Sequence, residues 1–161
     1  MADIYCHSEM TNFHRDKVTL ANKQQVEMRR CRDAGRKRLE NGLNQAEKPQ
    51  PKEVWSQGSY QMRTMVQDDA NDYDIDDGAY FASDALEDDE GVALLPKAAR
   101  QMVCDALVWD GRLTEVAIVK SNCVRQIYAA GYHIDIPVYR IVITEGENGA
   151  PVEHYELASG D

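Results

Sequence analysis

The stretch Asn71-Asp72-Tyr73-Asp74-Ile75-Asp76-Asp77-Gly78-Ala79-Tyr80-Phe81 alternates acidic and apolar side chains, then passes through a glycine into an apolar run. Alternation with a period of two predicts a strand, whose side chains point to opposite faces in turn. Asp72, Asp74 and Asp76 then share one face, about 6.6 Å from one to the next. Carboxylates lined up in this way repel one another and depress strand propensity. A cation clamped between them removes that penalty. A calcium loop of the EF-hand type fails, because it needs glycine sixth and glutamate twelfth. Counting from Asp72, those places hold Asp77 and Ser83. A bare Asp-x-Asp of the sugar-transferase kind finds no support elsewhere in the chain. An acidic edge strand, kept charged to discourage pairing, stays open as the plain alternative.

A site with two divalent ions, roughly 3.5–4 Å apart, needs at least three carboxylates, typically two on one strand and one on a neighbour. His133-Ile134-Asp135-Ile136-Pro137 supplies a solitary acid between isoleucines, in the most β-prone run of the chain. A charge there is costly unless it has a partner. The partner is either a metal shared with the Asp74 and Asp76 strand, or an arginine in a salt bridge.

The remaining chain predicts an α+β (mixed α/β) fold, helices packed on one sheet. Residues 1–19 read as a polar, unpatterned lead, and 20–161 as the domain proper. Leu20 to Ala46 reads as a helix with a sparse stripe of Leu20, Val26, Met28, Leu39 and Leu43, weakened at Gly35 and Gly42 and ended by Pro49 and Pro51. Val54 to Gln57 reads as a strand, and Ser59 as the N-cap of a helix reaching Met65. Strand, glycine, serine, helix is an arrangement that can hold an anion, and equally an ordinary capped turn. Ser83 to Glu90 reads as a solvated acidic loop. A helix opens at Leu94-Leu95-Pro96 and runs to Trp109, with Ala98, Met102, Leu107 and Trp109 facing the core. Glu115–Lys120, Cys123–Ala130 and His133–Ile143 read as strands, and Thr144–Asp161 as turns with little apolar material.

The chain has 161 residues, enough for one buried core. Its formal charge of −10 argues against duplex nucleic acid as a partner. No stretch approaches the roughly 20 apolar residues of a membrane span, and the four cysteines form no C-x-x-C pair. These features predict a cytoplasmic protein with free thiols. The charge is uneven: eleven acids and no Lys or Arg between Gln67 and Glu90, nine basic residues against three acids between Arg15 and Arg38. Either two solvated faces adjoin, or an acidic metal site faces a basic wall suited to phosphates.

Three motifs in this order, Gln57-Gly58-Ser59, Asp74-Ile75-Asp76-Asp77-Gly78 and His133-Ile134-Asp135-Ile136-Pro137-Val138-Tyr139, resemble the polymerase-β-like nucleotidyltransferases. More narrowly, the chain resembles the bacterial CD-NTases, the cGAS/DncV-like enzymes of antiphage (CBASS) defence, and within them the DncV-like branch that makes cyclic GMP-AMP. The similarity runs from about Trp55 to Tyr139. It implies a nucleotidyltransferase core with a mixed sheet, ATP, GTP or other NTPs as substrates, and two Mg²⁺ ions, with Mn²⁺ as a substitute. Asp74, Asp76 and Asp135 would be the catalytic metal ligands. Gly58 and Ser59 would hold the donor triphosphate, with Gln57 and Arg125 as further nucleotide contacts. Relatives continue into a helical C-terminal region, so this chain is expected to correspond to the catalytic half, completed by that region or regulated by a protein partner. A non-catalytic nucleotide-binding module and a protein- or RNA-directed nucleotidyltransferase are the alternatives.

Overall fold

A computed structural model describes residues 6–68, 72–111, 113 and 116–160. Asn71 and Glu115, the first residues of two of the expected strands, lie outside this set. The elements follow in the order α1 (His7–Phe13), a π-helical turn (His14–Val18), α2 (Asn22–Gln45), β1 (Glu53–Ser56), α3 (Gly58–Met62), β2 (Tyr73–Ala82), α4 (Pro96–Val108), β3 (Ile118–Val119), β4 (Val124–Ile127), β5 (Tyr132–Ile136), β6 (Val138–Glu145) and β7 (Pro151–Leu157). Helices and one mixed sheet form the expected α+β architecture.

The sheet runs β3-β4-β5-β2-β6-β7, with β1 also paired to β2. Strand β2 pairs in parallel with β5 and with β6. The offset between partners is the same on both sides of Pro137, and the Ala79 amide donates to the Pro137 carbonyl (2.8 Å). β5 and β6 are therefore one line of strand in one register, interrupted only where proline lacks an N–H. The run expected as a single strand over 133–143 is this broken line. Strand β1 lies antiparallel along the other edge of β2.

Tyr73, Ile75, Asp77, Ala79 and Phe81 of β2 are all buried. The four apolar ones join Ile134, Ile136 and Val138 with Met28, Leu39 and Leu43 of α2 and Ala99, Val103 and Leu107 of α4 in a single core. Helix α2 runs unbroken through both glycines, because each is a contact point. A Cβ on Gly42 would overlap the Ala106 carbonyl, and one on Gly35 would press on the Gln126 side chain. Helix propensity yields here to close packing of α2 against α4.

Several expectations from sequence are corrected. The polar lead contains α1 and the π-helical turn. Val26 is exposed and Leu20, though buried, precedes α2, leaving the apolar stripe of the helix to Met28, Leu39 and Leu43. Helix α4 buries Ala99, Arg100, Val103, Cys104, Ala106 and Leu107, while Ala98 and Trp109 face outward and Met102 is half-buried. The face is rotated by about one residue from the predicted one, because the buried Arg100 guanidinium donates to the carbonyls of Ala158 (2.5 Å) and Gly160. The acidic loop after β2 begins with a 3₁₀ turn (Ser83–Leu86) that buries Leu86. The C-terminal stretch, read as turns, forms the β6–β7 hairpin, whose β7 residues are exposed. An edge strand with one solvated face lacks the apolar signal used to find strands. Among the described residues, no helix is long and apolar enough to cross a membrane.

Candidate functional site

Strand β2 divides its acids between two faces, and their surroundings differ. Asp77 faces the helices. Its side chain is 3 % exposed and accepts a bidentate pair from Arg36 (2.7 and 2.5 Å), with Ser56 Oγ donating to it at 2.9 Å. Arg32 donates to the same Ser56 hydroxyl (3.0 Å), and Arg29 donates to Tyr60 Oη (3.0 Å). The basic middle of α2 is thus partly consumed in fastening the helix to β1, α3 and the inner face of β2. Arg36 does not line a wall opposite the metal site.

Asp74 and Asp76 occupy the other face. Asp76 is the register partner of Asp135 on β5, and Asp74 of His133. Oxygens of Asp74, Asp76 and Asp135 lie within 4.8 Å of one another, Asp74 the most open and Asp135 buried. Burial raises the Asp76 carboxyl above the usual range, and the charges of Asp74 and Asp135 push it further, against the pull of Arg125. Arg125, the register partner of Asp135 on β4, holds that carboxylate with two hydrogen bonds of 2.7 and 2.6 Å. Of the two partners weighed for Asp135, the arginine is Arg125, and the carboxylates that could share a metal with it stand alongside. Asp72 stands apart, its Oδ1 3.2 Å from His133 Nδ1.

The donor set fits a hard divalent cation. Three carboxylates from two rigid strands offer only oxygen, as Mg²⁺ and Mn²⁺ prefer. The nearby Cys123 thiol is pushed up to about 11, by burial first and then by the charge of Asp135, so it stays protonated at neutral pH and offers no thiolate.

Gly58 abuts this cluster. Its φ is +60°, and a Cβ would overlap Asp76 Oδ2, so both the turn and the approach demand glycine. Ser59 follows inside α3, whose N-cap is Gln57 with no side-chain cap, so the expected Ser59 cap is corrected. Helix α3 also ends at Met62, where Arg63 adopts a left-handed conformation (φ 58°). Gln57 is fixed from both ends: its backbone N–H donates to the Asp76 carbonyl (2.7 Å), and its side chain bridges the hydroxyls of Tyr80 and Tyr139. Those two rings stack with centroids 4.6 Å apart. This tyrosine clamp was not foreseen. Its only sequence signal is that Tyr80 and Tyr139 each lie four residues beyond a site acid, on the same strand face.

The family model for the cyclic GMP-AMP synthase DncV-like nucleotidyltransferase domain matches residues 52–139, which include all seven candidate site residues. Among solved structures, Vibrio cholerae DncV bound to 3′-deoxy ATP is similar with a TM-score of 0.61 and 19% identity, over 96% of this chain and 56% of that one. E. coli CdnC with ATP matches with a TM-score of 0.60 and 19% identity, over 91% and 47% of the two chains. Bradyrhizobium diazoefficiens CdnG with GTP matches at 0.59 and 18%, over 86% and 41%. The chain spans about half the length of these structures. The chain belongs to the DncV-like nucleotidyltransferase domain family.

Proposed function

We propose that this chain is the catalytic core of a Mg²⁺-dependent nucleotidyltransferase that joins NTPs into a cyclic di- or oligonucleotide second messenger for antiphage defence. The observation that carries the reading is the cluster of Asp74, Asp76 and Asp135, two strands wide, set against Gly58 in a domain of this family. Divalent ions bound there would activate an attacking 3′-hydroxyl and neutralise charge on the departing pyrophosphate. Asp74, Asp76 and Asp135 would hold such ions through their carboxylate oxygens. Gly58 lets a phosphate approach the backbone closely, and Ser59 offers it a hydroxyl. Gln57, immobilised by Tyr80 and Tyr139, keeps this turn in place beside Asp76. In-line phosphoryl transfer depends on such positioning and charge neutralisation more than on covalent chemistry.

The test is incubation with labelled ATP and GTP and Mg²⁺, with products identified by mass spectrometry. A cyclic product that disappears with Asp74→Asn and Asp76→Asn supports the reading, and one that survives them removes the site assignment. Because the chain spans about half of its structural relatives, a second reading is a module that binds nucleotide without turning it over. Calorimetry with a non-hydrolysable NTP and Mg²⁺ distinguishes the two, since the module binds but yields no product. E. coli CdnC forms a complex with a HORMA protein, which supports a regulatory protein partner here.

A further inference from the structure

Arg125, Asp135 and Asp76 form a transverse row on the adjacent strands β4, β5 and β2, each the register partner of the next. Arg125 Nε donates to Asp135 Oδ1 and Nη2 to Oδ2, so both carboxylate oxygens are engaged by one rigid fork. The side chains are 22% and 9% exposed, so water screens the pair much less than it would a surface pair. Arg125 is the cationic member of the acid cluster.

A divalent ion shared by Asp74, Asp76 and Asp135 needs an Asp135 oxygen that the fork already uses. A second positive charge at the same carboxylate is also repelled by the first. We propose that Arg125 and the divalent cation compete for Asp135, and that the displaced guanidinium passes to the phosphates of the incoming nucleotide. This rests on the metal-site reading given above. Its consequence is coupling. A metal ion arriving alone must break a largely buried fork, whereas one arriving with a polyphosphate leaves the guanidinium a new bidentate partner. By linkage, nucleotide and metal then favour each other's binding through Arg125.

The opposing arrangement is one in which Arg125 merely orients Asp135 as a supporting hydrogen-bond donor, and it predicts the opposite sign. Mn²⁺ titration without nucleotide, read by electron paramagnetic resonance, separates them in wild type, Arg125→Gln and Arg125→Lys. Competition predicts Mn²⁺ affinity on the order of tenfold tighter for Arg125→Gln, and little change for Arg125→Lys, which keeps the charge. Affinity unchanged or weakened in Arg125→Gln, with wild type still binding, overturns the competition and leaves the metal site standing. No Mn²⁺ bound by any form overturns both. The Arg125 Nε–H resonance gives a second measurement on the unaltered protein. It should shift as Mg²⁺ is added, and a resonance unmoved at saturating Mg²⁺ overturns the displacement.

Discussion

Asp76 and Asp135 stand directly opposite each other on parallel neighbouring strands, with Asp74 close enough to add its charge. Strand neighbours are about 4.8 Å apart, so the like charges cannot separate without breaking the ladder. Asp76 bears the strain as a raised carboxyl, which makes its loss informative. In the unfolded chain it deprotonates in the ordinary range, and in the folded chain only at higher pH. Its cost therefore builds up between those two points and persists above them. Asp76→Asn should stabilise the fold at neutral pH by somewhat under about 1 kcal/mol, since the group is half in solvent. The gain should vanish below the unfolded carboxylate range. Thermal melts at pH 7 and pH 3.5 check the sign, and Mn²⁺ titration should show binding lost in the same variant.

Gly58→Ala tests the turn against the cluster. The substitution places a side chain at a φ of +60° and against Asp76 Oδ2. A cost of about 1–2 kcal/mol in chemical denaturation is expected from the backbone alone. Weaker Mn²⁺ binding should accompany it, as Asp76 is pushed from its place. An alanine that leaves Mn²⁺ affinity intact would show that the two features are independent.

Arg36→Gln should separate the acid that holds the fold from those proposed to hold metal. Removing the guanidinium leaves Asp77 buried with Ser56 for company, at a cost of about 3 kcal/mol in urea titration. Metal affinity should be unaffected, because Asp77 points to the helices. A loss of Mn²⁺ binding comparable to that of Asp76→Asn would assign Asp77 to the site.

Gly42→Ala should be far more damaging than an alanine in a helix normally is. The Ala106 carbonyl occupies the space its methyl needs, so α2 and α4 must move apart. Overpacking of this kind costs about 1–3 kcal/mol, against a gain of up to about 1 kcal/mol in helix propensity. A lowered melting temperature is the expected result, and a raised one would mean that the helices yield easily.

The three candidate acids stood out because charge in a strand pattern is costly and therefore conspicuous, and the fold brings them together. Asp74 and Asp76 formed the charged half of an alternation, and Asp135 interrupted a run of isoleucine and valine. Gly58 was legible as a turn, but its contact with Asp76 was not, since nothing local reveals what a glycine touches. Arg125 was noticed for nucleotide while its grip on Asp135 was left open, because pairing across strands depends on a register that only the folded sheet fixes. The same reason hid the clamp on Gln57. Gly35 and Gly42 misled in the other direction, as packing overrode a propensity that would interrupt an isolated helix. The β7 strand escaped because its residues are exposed and lack the apolar half of the alternation.

The unbroken register through Pro137 carries a kinetic consequence. The site exists only when β2 and β5 have found each other across about sixty residues, a loop whose closure alone costs roughly 3–4 kcal/mol in chain entropy. Such high contact order places assembly of the acids late in folding, after the local hairpins. A slip of a single residue would turn Asp135 toward the helices and Ile134 toward the solvent. The chain thus commits its three charges to one another only after the surrounding sheet has been proofread by its own geometry.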